Sequence, residues 1–342
     1  MKHLLLPLLA LPLMGQELKL MTQPALTVTT FTKAGSFYQL EVEKDGKWLP
    51  LGSPIIGTGE PVAQSHTSLS ADSKIRRTEL TKQWVPVWQD EFNGNSLDRA
   101  KWAHEVNSYG GGNNERQYYS DSPKNTVVSD GKLQLKLFRE NFTTVDGKIQ
   151  PYTSSRIRSI YRGEWKYGKF EIRAKMPGGE GIWPAAWMLP TNSPYGIWAA
   201  CGEIDIIESH GTDVDRTFGT LHFGGQWPNN KHKGGIYKFP KKNAAEDFHV
   251  YGVEWNKDEI SWFLDGEKWQ TIKKEDWFTT ADKAPTAPFN QPFHMILNLA
   301  ADGGFFKDPN NGGTDQNSDN IPDSEFPHVF EIDYVRVSQW AE

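Results

Sequence analysis

The feature that most restricts the fold of this chain is the alternation of apolar and polar residues along many short segments. In segments such as Lys132–Leu137 and Tyr334–Val337, every second residue is aliphatic. A period of two places successive side chains on opposite faces of a β-strand, whereas a surface helix needs a period near 3.6. Such segments recur between Gly, Asn, Asp and Pro residues, and helical periodicity is scarce. The pattern predicts an all-β fold, a sandwich of two antiparallel sheets with solvated outer faces.

Net charge and cysteine content exclude several kinds of protein. The 342 residues include 37 Lys and Arg against 43 Asp and Glu, which gives a formal net charge of −6. A chain with this balance has no general electrostatic attraction for nucleic acid, so no nucleic-acid partner is expected. The single cysteine excludes an intramolecular disulfide framework, and the length suits one large domain beside a small one.

The first residues are typical of a secretory signal. Lys2 and His3 precede the apolar stretch Leu4–Met14, which is too short to span a bilayer as a helix. We expect residues 1–16 to be a signal peptide and the protein to be secreted, either to the periplasm or to the medium. A disordered cytosolic N-terminus is the alternative. No later segment is long and apolar enough for a membrane anchor, so no membrane partner is expected.

Residues 17–82 predict a small β-rich module that precedes a main domain over residues 83–342. Phe37–Val42 alternates, Asp45-Gly46 predicts a tight turn, and Trp48–Leu51 resumes the strand pattern. This arrangement is the signature of a β-hairpin. The module is too small to bury much of a core by itself. A spacer is the favoured interpretation, with glycan binding as the alternative.

The segment Asp302–Asp323 is rich in Asn, Asp and Gly and predicts a long loop between two strands. Its acidic residues could ligate an ion, but the spacing of an EF-hand is missing. A solvated loop is therefore the favoured interpretation.

The strongest candidate for a catalytic centre is the segment Gly202–Glu208, with the sequence GEIDIIE. Acids alternate with β-branched isoleucines, which favours a strand. Glu203 and Asp205 share a face by the period of two, whereas Glu208 has an odd offset and would point the other way. One extra residue, a β-bulge around Ile206–Ile207, would bring all three acids to one face and turn the isoleucines into the core.

Three neighbouring carboxylates repel one another, so the proton affinity of at least one of them rises. Glycoside hydrolysis requires one ionised and one protonated carboxyl group beside the scissile bond. The alternatives are a solvated acidic edge strand and a site for a hard cation, as in a metal-dependent phosphoesterase. The phosphoesterase would need further His or Asp residues at ligand spacing, and the sequence offers none that is convincing.

Aromatic residues and a histidine lie near this segment in the sequence. Trp183 and Trp187 are four residues apart, so a strand would place them on one face. With Trp198 they could stack on the apolar faces of sugar rings, although indoles also fill cores. His222 lies on a later predicted strand, where it could bond a carboxylate or a sugar or serve a structural role. We interpret Cys201 as a buried packing residue rather than a nucleophile.

From about residue 88 to residue 337, the chain resembles glycoside hydrolase family 16, and within it the bacterial laminarinases (endo-β-1,3-glucanases). The order and spacing of the matching stretches make the resemblance specific. The stretches are Asp90–Gly94, Gly112–Tyr119, Tyr167–Glu171, Gly181–Leu189, Gly202–Glu208, Leu221–Asn230, Leu297–Ala300 and Asp333–Val337.

The resemblance implies a β-jelly-roll sandwich with a long open cleft and a retaining mechanism. By matching position, Glu203 is the nucleophile, Glu208 is the general acid/base and Asp205 assists both. The positions that match sugar subsites are Asn113, Arg156, Trp183, Trp187, Trp198 and His222. Catalysis needs no cofactor, but a structural calcium ion far from the chemistry is implied. The positions that match its ligands are Glu91, Gly131 (through its carbonyl) and Asp333.

The resemblance implies a monomer that acts on β-1,3-glucan from within the chain. Mixed-linkage glucan, agar, porphyran and carrageenan are alternative substrates within the family. The segment Leu299–Gly304 departs from the Leu-Ala-Val-Gly-Gly of many relatives and precedes a long loop at the cleft. A non-catalytic β-glucan-binding protein on the same scaffold is the other alternative. Such proteins typically lack one of the three acids, and all three are present in this chain.

Overall fold

A computed structural model of the protein describes residues 25–241, 243–307 and 317–342, which form two compact units. The first unit ends at Glu79 and the second comprises Leu80–Glu342. This division lies close to the boundary that the sequence predicts after residue 82. The predicted signal peptide, residues 1–16, lies outside the described residues.

The described part of the chain contains 24 strands. They are β1 (Leu26–Phe31), β2 (Phe37–Lys44), β3 (Lys47–Pro50), β4 (Ile55–Ile56), β5 (Pro61–His66), β6 (Ile75–Leu80), β7 (Gln83–Asp90), β8 (Ala103–His104), β9 (Gln117–Tyr119), β10 (Thr126–Ser129), β11 (Lys132–Thr143), β12 (Ile149–Ser154), β13 (Arg156–Arg158), β14 (Glu164–Trp165), β15 (Gly168–Lys175), β16 (Ile182–Pro190), β17 (Glu203–Glu208), β18 (Arg216–Gly224), β19 (Asn230–Lys238), β20 (His249–Trp255), β21 (Glu259–Leu264), β22 (Glu267–Lys273), β23 (Phe293–Ala301) and β24 (His328–Ala341).

Helical structure in the described part of the chain is limited to short 3₁₀ turns. These are Gly110–Gly112, Lys274–Asp276, Gly304–Lys307, Ser318–Asn320 and Asp323–Glu325. In the same part of the chain, no helix has the length and apolar character needed to cross a membrane.

The first unit contains the predicted hairpin. Strands β2 and β3 pair antiparallel, and Lys44 lies opposite Lys47. The two residues between them, Asp45 and Gly46, have φ angles of 51° and 74°, as a type I′ turn requires. β4 and β6 also pair with β2, and β1 pairs with β5 in a separate ribbon. The core of the unit is small, as predicted, and consists of Tyr38, Leu40, Val42, Leu51, Ile55 and Leu69.

The second unit is the predicted sandwich of two sheets. One sheet has the order β22-β21-β20-β15-β24-β11-β12-β9, with β10 on β11 and β7 on β24. The other has the order β19-β18-β17-β16-β23-β13-β8, with β14 on β23. The described pairs are antiparallel except β9 with β12, which run parallel. This pair departs from the purely antiparallel prediction.

The alternating segments supply the core between the sheets. Leu133, Leu135 and Leu137 of β11 are fully buried, and so are Val335 and Val337 of β24. Burying an aliphatic side chain of this size contributes about 1.5–3 kcal/mol, so these strands hold the sandwich together through one face each. The prediction of a half-buried period-two pattern is confirmed for both segments.

The predicted solvated loop Asp302–Asp323 is only partly solvated in its described parts: Asp302, Phe305, Phe306, Ser318 and Ile321 are buried, whereas most of the other described residues are exposed. The Asp302 carboxylate accepts hydrogen bonds from the Ser318 amide (2.7 Å) and hydroxyl (2.6 Å). It also pairs with the Arg116 guanidinium at 3.0 Å. Asp302 is therefore used for internal contacts, which the composition of the segment does not reveal.

Candidate active site

The bulge that the sequence predicts in the acidic segment is present. Asp205 lies opposite Thr220 on β18, whereas Glu208 lies opposite Phe218, so three steps on β17 match two on β18. The pairing of β17 with β16 shifts at the same place. One extra residue in an antiparallel pair is the definition of a β-bulge.

The bulge puts the three acids on one face. Their partners on β18 are His222, Thr220 and Phe218, which are two residues apart in a strand of regular register and therefore share a face. Ile204, Ile206 and Ile207 belong to the buried core. The predicted bulge and the inward direction of the isoleucines are both confirmed.

A tryptophan from the opposite sheet supports the bulge from below. The Trp262 indole N–H of β21 donates to the Asp205 main-chain carbonyl at 2.8 Å. Gly219 makes room for this ring, since a Cβ at Gly219 would lie 2.5 Å from Trp262 Cδ1. The carbonyl at the irregular point of the strand thus has a buried partner, as buried carbonyls require.

Replacing Trp262 with Phe is expected to lower the free energy of unfolding by about 1–3 kcal/mol and to lower kcat/KM, because the bulge loses a buried donor. Trp255→Phe is the matched control. Its indole N–H donates to the Phe289 carbonyl at 3.1 Å, away from β17. Denaturant melts and initial rates should show similar destabilisation in both variants but reduced kcat/KM only in Trp262→Phe. Equal kcat/KM in the two variants would contradict the role of Trp262.

Glu203 and Asp205 lie against Trp198 and His222. The Trp198 indole N–H donates to Glu203 Oε2 at 2.8 Å. His222 Nε2 lies 3.3 Å from Asp205 Oδ2 and 3.9 Å from Glu203 Oε1. Asp205 Oδ2 has no hydrogen-bond partner of regular geometry, so His222 is a close neighbour of this oxygen rather than a regular donor to it.

Glu208 lies beside buried aromatic rings. The Trp183 indole N–H donates to Glu208 Oε1 at 3.1 Å. Phe218 is the cross-strand neighbour of Glu208 on β18, and Ala185 is its neighbour on β16. The Thr217 hydroxyl donates to the Glu208 main-chain carbonyl at 3.0 Å. Glu208 is 8% exposed.

Burial raises the pKa of all three acids. It raises the pKa of Glu203 to about 8, and repulsion by Asp205 adds to this. Burial likewise raises the pKa of Asp205 and, well above its ordinary value, that of Glu208. His222 and the Trp198 N–H act in the opposite direction on Glu203 and favour its charged form. The site therefore holds protons near neutral pH.

A second cluster of hydrogen-bonded polar side chains lies along β16 and β23, next to the acids. The Trp187 indole N–H donates to Asn298 Oδ1 at 2.7 Å, and the Arg156 guanidinium lies 4.7 Å from the centre of the Trp187 ring. Asn298 Nδ2 in turn donates to the Tyr119 hydroxyl at 3.1 Å, which donates to Glu115 at 3.2 Å. The sequence singled out Trp187 and Arg156 but not Asn298. Asn298 stands in the predicted strand Leu297–Ala300 as a polar residue among apolar ones, and that signal could have found it.

Two residues predicted at sugar subsites have structural contacts, and their predicted sugar contacts stay predictions. Trp183 is 8% exposed and stacks on Phe305, with ring centres 4.3 Å apart, so that face cannot meet a sugar. The Asn113 main-chain carbonyl accepts a hydrogen bond from the Gly304 amide at 2.6 Å. Trp187 does share the face of Trp183, because the pairing of β16 with β23 is regular.

Cys201 is 4% exposed, and burial raises the pKa of its thiol. A thiol with a raised pKa is a poor nucleophile. The interpretation of Cys201 as a packing residue agrees with this burial.

The three positions predicted to hold calcium come together in the backbone. β7 and β11 pair with successive parts of β24, and Asp333 lies between those parts, while Glu91 directly follows β7 and Gly131 directly precedes β11. The two carboxylates are engaged with arginines, however. Glu91 accepts two hydrogen bonds from Arg336, at 2.7 and 2.8 Å, and Asp333 accepts one from Arg173 at 2.7 Å. The set fits a calcium ion only if main-chain oxygens such as that of Gly131 supply much of the ligation.

Comparison with known proteins agrees with this geometry. The sequence pattern of the glycosyl hydrolases family 16 matches residues 113–319. The chain is 42% identical to glucan endo-1,3-beta-glucosidase A1 of Niallia circulans over 73% of its length, but this covers only 37% of that longer protein. It is 37% identical to a beta-glucanase of Rhodothermus marinus, over 78% of this chain and 89% of that protein.

A solved structure gives the same result for the fold. The catalytic domain of an endo-1,3-beta-glucanase (laminarinase) from Thermotoga petrophila superimposes with a TM-score of 0.65 and 33% identity. The superposition covers 77% of this chain and 100% of that domain.

Proposed function

Because this chain belongs to the glycosyl hydrolases of family 16, we propose that it cleaves β-1,3-glucosidic bonds inside laminarin-type glucans with retention of configuration. The observation that carries the proposal is the bulged strand β17, which directs Glu203, Asp205 and Glu208 to one face. The chain is a glycoside hydrolase, and its family needs no cofactor for catalysis.

Glu203 acts as the nucleophile in this proposal. It attacks in its carboxylate form, which the Trp198 N–H and His222 favour against the burial that raises the pKa of Glu203 to about 8. The Glu203 oxygen bonds to the anomeric carbon as the bond from that carbon to the leaving oxygen breaks.

Glu208 supplies the proton that the leaving oxygen takes up, since its burial keeps it protonated near neutral pH. The ionised Glu208 then removes a proton from water, which attacks the anomeric carbon and releases Glu203. Two inversions leave the product in the configuration of the substrate.

The proposal is tested by incubating the full chain with laminarin, lichenan, agarose, carrageenan and porphyran and sizing the products. We expect laminarin to be cut fastest into a ladder of oligosaccharides, with the β-anomer appearing first by proton NMR. Cleavage of a galactan in preference to laminarin would contradict the substrate, and an initial α-anomer would contradict the mechanism.

A non-catalytic glucan-binding protein is the alternative of a different class. It requires no proton-holding acid, whereas this chain keeps Glu203 and Glu208, each with an indole N–H donor. Binding of laminarin without release of reducing sugar would favour this alternative.

We also propose that a calcium ion stabilises the second unit where β7, β11 and β24 meet, far from the acids. Removing it with EGTA is expected to lower the melting temperature and leave the rate of laminarin hydrolysis at low temperature unchanged. Elemental analysis of the purified protein is the control. An unchanged melting temperature together with the absence of bound calcium would contradict the ion.

Secretion, the monomeric state and the role of the N-terminal module stay predictions. Secretion is tested by N-terminal sequencing of the exported protein, and the monomeric state by sedimentation. The role of the module is tested by a glucan pull-down with residues 17–82 fused to a carrier.

A further inference from the structure

We infer that Trp183 is a positioning residue for the proton donor Glu208, and that Phe305 holds Trp183 in the orientation that this requires. The inference rests on the proposed hydrolase function, because it concerns how the acid of that reaction is aimed. It gives Trp183 a role that the family resemblance, which implies a sugar contact, does not include.

The packing of the Trp183 ring leaves its indole N–H directed at the carboxyl group of Glu208. The Trp183 ring is stacked on the Phe305 ring, with an angle of 5° between the two planes. The Phe306 ring meets it edge-on, with the two ring centres 6.2 Å apart. Trp183, Phe305 and Phe306 belong to one buried cluster with Phe218. With the ring fixed by packing, the N–H reaches Glu208 Oε1 at 3.1 Å.

This hydrogen bond selects which oxygen of Glu208 carries the proton. An N–H donor binds the unprotonated oxygen of a carboxyl group, because the protonated one has a hydrogen of its own to donate. Trp183 takes Oε1, so the transferable proton of Glu208 resides on Oε2. Fixing the oxygen in advance removes a rotation that the acid would otherwise have to make before transfer.

Phe305 is itself held in place by residues distant in the sequence. It lies on the 3₁₀ turn Gly304–Lys307. The Gly304 amide donates to the Asn113 carbonyl at 2.6 Å, and the Asp302 amide donates to the Gly181 carbonyl at 2.7 Å. The segment Leu299–Gly304, whose sequence differs from that of many relatives, therefore leads directly into the turn that carries Phe305.

The role of Glu208 as acid depends on the leaving group, and this allows a sharp test. A sugar hydroxyl must receive the proton from Glu208 as its bond to the anomeric carbon breaks. A 2,4-dinitrophenolate leaves as a stable anion and needs no proton. A change that only misplaces the acid should slow the first reaction and spare the second.

The experiment compares kcat/KM of the full chain and its Trp183→Phe variant, which keeps a flat ring on Phe305 and removes the N–H. The substrates are a β-1,3-gluco-oligosaccharide and the same sugar with a 2,4-dinitrophenyl leaving group. We expect a loss of about 10- to 100-fold for the first and less than about threefold for the second. Phe305→Leu should act in the same direction, more weakly.

Trp187→Phe is the matched control, since Trp187 lies on the same face of β16 but bonds Asn298. Loss of a sugar contact or of packing lowers kcat/KM for both substrates by the same factor and leaves their ratio unchanged. The same parallel loss in Trp183→Phe would overturn the inference.

A second measurement needs no substrate. The titration of Glu208 is followed by carboxyl ¹³C NMR in the full chain and in Trp183→Phe, with Glu208→Gln identifying the signal. The N–H stabilises the carboxylate, so its removal is expected to raise the pKa of Glu208 further. An identical titration overturns the inference. Absence of hydrolysis by the unmodified protein would defeat the proposed function alone, and the NMR result would still decide the contact.

Discussion

Replacing Glu203 with Gln is expected to lower the turnover of β-1,3-glucan by about 10⁴-fold or more, while the protein still folds and binds the glucan. Glutamine has the same shape and keeps an oxygen that can accept the Trp198 N–H, now 2.8 Å from Glu203 Oε2. It lacks the charged oxygen that bonds to the anomeric carbon. Initial rates of reducing-sugar release and calorimetric binding of a β-1,3-gluco-oligosaccharide provide the measurements.

Glu171→Gln serves as the control for this substitution. Glu171 lies on β15 of the other sheet and pairs with Lys169, so its removal should leave hydrolysis unchanged. Hydrolysis by Glu203→Gln at the rate of the unmodified chain would remove Glu203 from the role of nucleophile.

The same substitution is expected to stabilise the protein at alkaline pH. Burial raises the pKa of Glu203 from 4.5 to about 8, so between these values the folded protein binds a proton that the unfolded chain does not. The stabilisation that the buried proton of Glu203 contributes is therefore fully present below pH 4.5 and is lost as the pH rises through 8. At pH 8, Glu203→Gln should raise the free energy of unfolding by on the order of 2–4 kcal/mol.

Melting temperatures of the two proteins should coincide near pH 4 and diverge by several degrees at pH 8. Asp276→Asn provides a contrast of opposite sign. The hydrogen bond from Lys233 lowers the pKa of Asp276, so this group stabilises the protein above its ordinary pKa, and its loss should cost a little stability at pH 8. A constant difference between Glu203→Gln and the unmodified chain across this range would contradict the burial of a proton at Glu203.

The charge of the buried acids links the active site to the stability of the fold. A sheet that buries three acids gives up stability at the pH where one of them must be charged. The site is less stable for this reason, because the proposed reaction requires a proton donor and a carboxylate side by side. Trp262, Trp198 and Trp183 reduce the cost, since each places an indole N–H on the acidic strand.

The sequence predicted the bulge because parity left no other way to bring Glu208 to the face of Glu203. Periodicity is a local property, and in Lys132–Leu137 or Gly202–Glu208 it is strong enough to fix which side chains turn inward. The same reasoning could not assign Trp183. Its even offset from Trp187 gave the correct face, but exposure depends on what covers that face, and Phe305 comes from a distant part of the chain.

The amino-acid sequence by itself determined the all-β class, the buried residues of the alternating strands, the hairpin at Asp45-Gly46 and the three acids on one face. Only the tertiary structure decided which partner each acid has. Trp262 lies 57 residues from Asp205, and Trp183 lies 25 residues from Glu208. Face and turn follow from neighbours along the chain, whereas hydrogen-bond partners and burial follow from the packing of one sheet on the other, which no local pattern encodes.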